Sequence, residues 1–215
     1  MKDITVRKGR RHILDLVAQG EHERQDFKFL ISDARKIARS ISAFANHSGG
    51  CLLIGVKDNG VVAGVRNEED IYVVEQAGEL YCSPPQQVEF EAYSVDTGVV
   101  VIKALIKKAD TRPVAVLEAD GHSRVYYRVN DENIVAHPLM VSAWVEAEKG
   151  GTLLSFSNIE SQLINLLAKR SISSRQLALE LHCSQSMADD LVVRLASAGV
   201  LKFVYEHGEF RICTV

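Results

Sequence analysis

The chain has 215 residues, 47% of them apolar, and a formal net charge of −3. That length admits one large domain or two modest ones, and its longest apolar stretches, such as Cys51-Leu52-Leu53-Ile54, are far too short to span a membrane. The negative balance excludes a generally basic nucleic-acid binder, so any such binding has to come from local patches.

The chain begins with a basic run in which Lys2, Arg7, Lys8, Arg10 and Arg11 stand against Asp3 alone. It reads either as a solvated terminus or as a flexible arm for phosphates. No apolar stretch of a secretory signal comes after Met1. Residues 13–17 suggest a short helix ending at Gly20. Residues 25–31 alternate, with Phe27, Phe29 and Ile31 toward a core and Asp26 and Lys28 outward, which is strand period. Ser32 is the expected cap of a helix carrying Ala34, Ile37, Ala38, Ile41 and Ala45 on one face and stopped by Gly49-Gly50. Residues 51–56 predict a buried strand, and Asp58-Asn59-Gly60 predicts a type I′ hairpin turning back into residues 61–65.

A helix is expected over 68–82, ahead of Pro84-Pro85. Strands are expected over 88–95 and 99–106, then over 113–117 and 125–129, and a helix over 138–148. Lys149-Gly150-Gly151-Thr152 is the most linker-like stretch, which divides the chain into domains 1–149 (core about 12–146) and 152–215. The four cysteines are scattered without a CxxC pair, as expected of thiols in a reducing, cytoplasmic setting. The spacing of His182-Cys183, His207 and Cys213 matches no structural zinc site.

Beyond the linker, Asn158 can cap a helix with Leu163, Ile164, Leu166 and Leu167. Ser173 or Ser174 can cap a second, and a third over 185–197 places Ala188, Leu191, Val192 and Leu195 on one face before a closing hairpin. This order resembles a winged helix-turn-helix from about residue 155 onward. In DNA-binding members of that class the third helix enters the major groove and the wing meets backbone. The resemblance implies contacts through Arg175, Gln185, Ser186, Arg194, Lys202 and Arg211, joined by Lys8, Arg10 and Arg11 of the arm. Asp189 and Asp190 oppose phosphates, and from Thr152 onward six Lys/Arg face six Asp/Glu, so DNA reading and protein contact both stay open. A homo-oligomer is expected, most simply a two-fold dimer, with Val193 as a candidate contact.

Three segments of the first domain belong together: Glu21-His22-Glu23-Arg24-Gln25-Asp26-Phe27-Lys28; Ser42-Ala43-Phe44-Ala45-Asn46 leading through Gly49-Gly50 to Ile54-Gly55-Val56; and Arg112-Pro113 with Tyr126-Tyr127-Arg128. They resemble the AlbA-like domain of the Schlafen family over residues 20–143, with Asn46, Gly49, Gly50, Gly55 and Arg128 as motif positions. The resemblance implies an α+β fold with a mixed sheet and a nucleic-acid-handling domain, here a regulator that binds DNA or RNA. For some animal Schlafens it implies a metal-dependent RNA endonuclease with three carboxylates, which fall here on Glu21, Asp26 and Asp58, with Lys28 as a phosphate-holding cation. Carboxylate oxygens suit Mg²⁺ or Mn²⁺. The family often has glutamate at the position of Asp26.

Each residue also has a plain alternative. Glu21 can cap the start of a strand, Asp26 can pair with Lys28 or Arg24, and Asp58 is what a turn selects. The ATP-binding label sometimes attached to the family finds no GxxxxGK[ST] here, and Gly49-Gly50 come after a helix rather than before one, so helix termination accounts for them better. An assembly module working through protein contact is the remaining alternative.

Overall fold

The computed structural model describes residues 4–67, 69–150 and 157–215. The chain divides into two compact units, Met1–Val135 and Ala136–Val215. In the first, strands β1 (Val6–Lys8), β2 (Gln25–Lys28), β3 (Gly50–Ile54), β5 (Val88–Asp96) and β6 (Val99–Ile106) form one mixed sheet in the order β1-β5-β6-β3-β2. β1 runs parallel to β5 and β2 parallel to β3, while β6 is antiparallel to both β3 and β5. A second, antiparallel sheet joins β4 (Cys82–Ser83), β7 (Ala115–Leu117), β8 (Ser123–Val129) and β9 (Glu132–Val135).

Alternation along the strands sorts the main sheet into two apolar faces. Cys51, Leu53 and Val101 turn one way, onto Ile13 of helix α1 (Arg10–Val17) and Phe27. Leu52, Ile54, Ile102, Ala104 and Ile106 turn the other way, onto helix α2 (Ala34–Asn46) and onto Ile71, Val74 and Ala77 of helix α3 (Glu69–Tyr81). α2 is covered on nearly every side, and nine of its thirteen residues are buried, Ser40, Ser42 and Asn46 among them. Its apolar side meets the main sheet and its polar side meets β7 and β8. Arg39 of α2 also grips Glu118 through Nε and Nη2 at 2.8 and 2.6 Å, and Tyr126 Oη donates to the same carboxylate at 2.6 Å.

Several local expectations are corrected. Asp33, not Ser32, caps α2, its side chain accepting from the Arg35 N–H. The chain after β3 does not return as a strand: it makes only a bridge between Val56 and Val62. Its turn places Gly60 alone at positive φ, with Gly60 N–H on Lys57 C=O at 2.7 Å, whereas a type I′ turn needs Asn59 there as well. The basic segment is no loose arm either. Val6–Lys8 is strand β1, Arg10 and Arg11 open α1, Arg10 pairs with Asp96 and Arg11 with Asp15, while Lys2 lies outside the described residues.

The second unit starts earlier than the glycine-rich stretch suggested. Helix α4 (Pro138–Glu148), capped by His137, packs on helix α7 (Gln185–Ser197). Leu139 joins the cluster of Leu163, Leu167, Leu191, Val192 and Leu195. The helix therefore belongs to the C-terminal unit, and the division falls after Val135. Residues 151–152 lie outside those described. Helix α5 (Asn158–Leu167) is capped by Ser157 rather than Asn158, in a capping box with Glu160, and α6 (Ser174–Glu180) by Ser173. β10 (Leu201–Glu206) and β11 (Glu209–Thr214) form the hairpin over His207-Gly208, both at positive φ, and Ile172 bridges to Ile212. Among the described residues no helix is long and apolar enough to cross a membrane.

Candidate nucleic-acid interface

β2 lies at the open edge of the main sheet, and the residues singled out in its neighbourhood close that edge. Arg24 and Lys28 give their carbonyls to β3, which turns the backbone of Gln25 and Phe27 outward. Glu21 Oε1 accepts the Phe27 N–H at 2.7 Å, Lys28 Nζ donates to the Phe27 carbonyl at 2.9 Å, and Arg128 Nη2 donates to the Gln25 carbonyl at 3.2 Å. Charged side chains, with the backbone of His22 at Gln25, thus satisfy the groups that an edge strand would otherwise offer to another chain.

Asp26 does not point to solvent as its alternation with Phe27 suggested. It is 4% exposed, because α2 and β8 cover that face. Lys28 Nζ sits 2.6 Å from Asp26 Oδ2, Arg128 Nη2 lies 3.5 Å from Oδ1, and Ser40 Oγ is within 3.5 Å. Arg128 is 1% exposed, also bonds Asn133 Oδ1 at 2.8 Å, and stacks over Phe44. Burial raises the Asp26 pKa, but the hydrogen bond from Glu21 and the charges of Lys28 and Arg128 outweigh it and hold the carboxyl below its usual range. Glu21 takes the opposite course. Burial, then its hydrogen bond with Asp26, pushes it up to about 7. Of the two carboxyls, Glu21 is the one that holds a proton to higher pH.

Glu21 binds its proton more tightly in the folded chain, so its ionisation costs stability progressively as pH rises from about 4.5 toward 7, and the cost is complete above that. Glutamine keeps the acceptor for Phe27 and a donor for Asp26 without the charge. The stability of Glu21→Gln relative to the parent chain should therefore grow as pH is raised from 5 to 8. Paired thermal melts across that range check this; a difference that stays constant with pH would show that Glu21 does not titrate there.

Asp58 is not part of this group. It is exposed in the turn after β3, and among the described residues no three His, Cys, Asp or Glu side chains are placed to hold a metal. Glu21 and Asp26 come together and Asp58 does not, so the expected three-carboxylate site is corrected to a hydrogen-bonded pair of carboxyls. Lys28 is likewise committed to Asp26 and the Phe27 carbonyl rather than held ready for phosphate.

The motif residues of α2 and β3 serve the frame. Asn46 Nδ2 donates to the carbonyls of Val114 and Tyr126, both at 2.9 Å, and its Oδ1 accepts the Val114 N–H at 2.8 Å. Gly49 has φ 72°, and a Cβ there would lie 2.9 Å from the Ile106 carbonyl oxygen and the Lys108 nitrogen. Gly55, at φ 98°, lets residues 63–65 cross against it: its carbonyl accepts from Ala63 and Gly64 N–H at 2.9 Å. Gly50 opens β3 beneath the Phe44 ring.

A cationic cleft opens beside the same edge. It has a volume of about 610 Å³, and Ser48, Gly49 and Gly50 form part of its wall. Four basic side chains line it, Arg24, Lys103, Lys107 and Lys108, against one acid, Glu89. Lys107 pairs with Glu89 and Lys103 with Glu91, while Arg24 and Lys108 have no ion-pair partner among the described residues. The local field also shows at His47: burial lowers its pKa, and the charges of Lys108 and Arg24 push the same way against Glu23. Nothing in the sequence pattern pointed to this cleft. Its cations lie far apart along the chain and meet only because β2, β3 and β6 are neighbours.

In the second unit three of the six expected contact residues are already engaged. Arg194 pairs with Glu160 of α5 at 2.5 Å. Arg211 is largely covered and reaches Gln176 and Glu209. Gln185 donates to Asp189 at 2.8 Å and to the Ser174 carbonyl at 3.3 Å. Ser186, Arg175 and Lys202 are exposed, and Val193 is half-buried.

A mixed sheet wrapped on a central helix with a polar seam, and a basic cleft at its edge, define an α+β protein of AlbA-like class. The family described as "Schlafen, AlbA_2" matches residues 21–137, and the chain belongs to it. Two solved structures are similar. One is the DIP2311 protein from Corynebacterium diphtheriae, at 18% identity and TM-score 0.43, covering 68% of this chain, which spans 29% of that one. The other is the N-terminal domain of a putative ATP-dependent DNA helicase RecG-related protein from Nitrosomonas europaea, at 19% identity and TM-score 0.44, covering 61% of this chain and 97% of that domain. No curated protein matches the chain.

Proposed function

We propose that the chain binds nucleic acid, with the cleft of Arg24 and Lys108 holding backbone phosphates. The observation that carries this reading is the charge imbalance of the cleft: four cations and one acid line it, in a chain whose net charge is −3. Two of the four cations keep their charge uncompensated, and phosphate neutralisation is the general source of affinity for nucleic acid. Membership of the Schlafen AlbA_2 family agrees with this role.

The second unit supports a finer reading as a winged helix in a transcriptional regulator, through its three helices, its hairpin and the Ile172–Ile212 bridge. With Arg194 and Arg170 both paired to glutamates, Lys169, Arg175 and Lys202 are the exposed cations it offers beside those of the first unit's cleft. A two-fold dimer belongs to the same proposal. The test is oligonucleotide binding at a series of salt concentrations. The Arg24→Gln/Lys108→Gln double variant should bind more weakly and lower the slope of log affinity against log salt by about 1.4 for single strands. An unchanged affinity and slope would falsify the assignment of the cleft.

A further inference from the structure

At the far end of β2 from Arg24 the chain builds a second basic group, this time around an aromatic ring. Phe29 comes directly after the strand and is only half-buried. Arg66 Cζ lies 4.6 Å and Lys57 Nζ 5.1 Å from its ring centroid. Both cations are exposed, and neither has an ion-pair partner among the described residues. The loop bearing them is fixed at its base by the Gly55 carbonyl and by the Lys57 N–H on Val61. Beside the ring is a hollow of about 400 Å³ lined by Phe27, Lys28, Phe29, Leu30, Lys57 and Asp58. Leu30, which lines the hollow, is 60% exposed, so the surroundings are apolar as well as basic.

A half-buried ring carrying two solvated cations sets an aromatic face and basic groups side by side at the surface. The combination suits a ligand that is apolar and flat in one part and anionic in the next. We propose that the nucleic acid is single-stranded and that an unpaired base stacks on Phe29, while Lys57 and Arg66 swing outward to the phosphates that flank it. This rests on the nucleic-acid reading and adds to it the strandedness of the ligand and a base-binding subsite. Only an unpaired base can present an open face to the ring, since a base within a duplex is stacked on both sides. Arg24 and Phe29 stand roughly 16 Å apart along an extended strand, so a short run of nucleotides along the capped edge reaches both groups.

Fluorescence anisotropy on the full chain tests this with three probes: an oligothymidylate, an abasic deoxyribose-phosphate oligomer of the same length, and the oligothymidylate annealed to its complement. Phe29→Leu keeps an apolar side chain and removes the ring. It should weaken oligothymidylate binding about tenfold, as expected for one lost base–aromatic stack, and leave abasic binding unchanged. Phe29→Trp should restore or tighten oligothymidylate binding. Lys57→Gln/Arg66→Gln should weaken both single-stranded probes and reduce their salt slope. Equal effects of Phe29→Leu on base-bearing and abasic probes, or tighter binding of the duplex, overturn the stacking subsite. If Arg24→Gln/Lys108→Gln abolishes binding while Phe29→Leu changes nothing, the subsite falls and the phosphate cleft stands. If the parent chain binds none of the probes, both fall.

Discussion

Replacement of Arg128 by methionine should destabilise the first unit by about 3 kcal/mol, the cost of removing one cation from a buried carboxylate together with the hydrogen bonds that Arg128 gives to buried carbonyls. The loss has two components. Asp26 keeps Lys28 but loses its second cation while remaining 4% exposed. The carbonyls of His22 and Gln25 lose a donor that reaches across from β8, at 3.3 and 3.2 Å. Lysine should not rescue, since one ammonium cannot serve Asn133, Gln25 and Asp26 with the planar fork that arginine presents. Asp26→Asn made in the Arg128→Met background should recover part of the loss, because a buried carboxylate left with a single cation is then replaced by a neutral amide. Chemical denaturation of the two single variants and the double variant gives the coupling directly. A loss under about 1 kcal/mol for Arg128→Met would mean that solvent reaches Asp26 freely.

Elements with strong periodicity were legible in the sequence. α2, β3, β5, β6, α4 and α7 fall within a residue or two of where the spacing of apolar residues places them. β1, β4 and β9 were not, because strands so short owe their conformation to a partner: β1 exists by pairing with β5, whose residues come eighty-odd positions later. The orientation of Asp26 shows the same limit. A two-residue period states which side chains share a face, not whether that face is covered, and the covering groups, Ser40 and Arg128, come from α2 and β8. Glu21, Asp26 and Lys28 were close enough in sequence to be read as one group, and they are one. Asp58 belongs to a turn whose position depends on the crossing of Gly55 and Gly64. The cleft was hidden for the converse reason, since Arg24, Lys103 and Lys108 are brought together by the sheet alone. The division between the units obeyed the same rule: a glycine pair marks where a chain can bend, whereas the packing of α4 on α7 decides which side the helix joins.

Asn46→Ala should cost at least about 3 kcal/mol, although it removes no charge and little volume. Asn46 is fully buried at the end of α2, and its amide is the fastening between that helix and the second sheet. Truncation leaves the Val114 N–H without its acceptor and takes a donor from the carbonyls of Val114 and Tyr126. Only Ser42 Oγ remains nearby, and it already bonds the Val114 carbonyl at 2.7 Å and the Tyr126 N–H at 3.1 Å. Alanine itself supplies no replacement partner, so unmet backbone groups account for most of the loss. Asn46→Asp should do as badly despite its near-identical shape, since a carboxylate oxygen would face two carbonyl oxygens where an amide now donates. The consequence should extend beyond α2. β8 carries Arg128, which holds the Gln25 carbonyl and Asp26, so a loosened β8 also loosens the cap on β2. Hydrogen exchange on Asn46→Ala should show protection falling in β7 and β8 and at Phe27, with β5 and β6 little changed. Uniform loss of protection across the main sheet would instead make Asn46 an ordinary core residue rather than the fastening between its two layers.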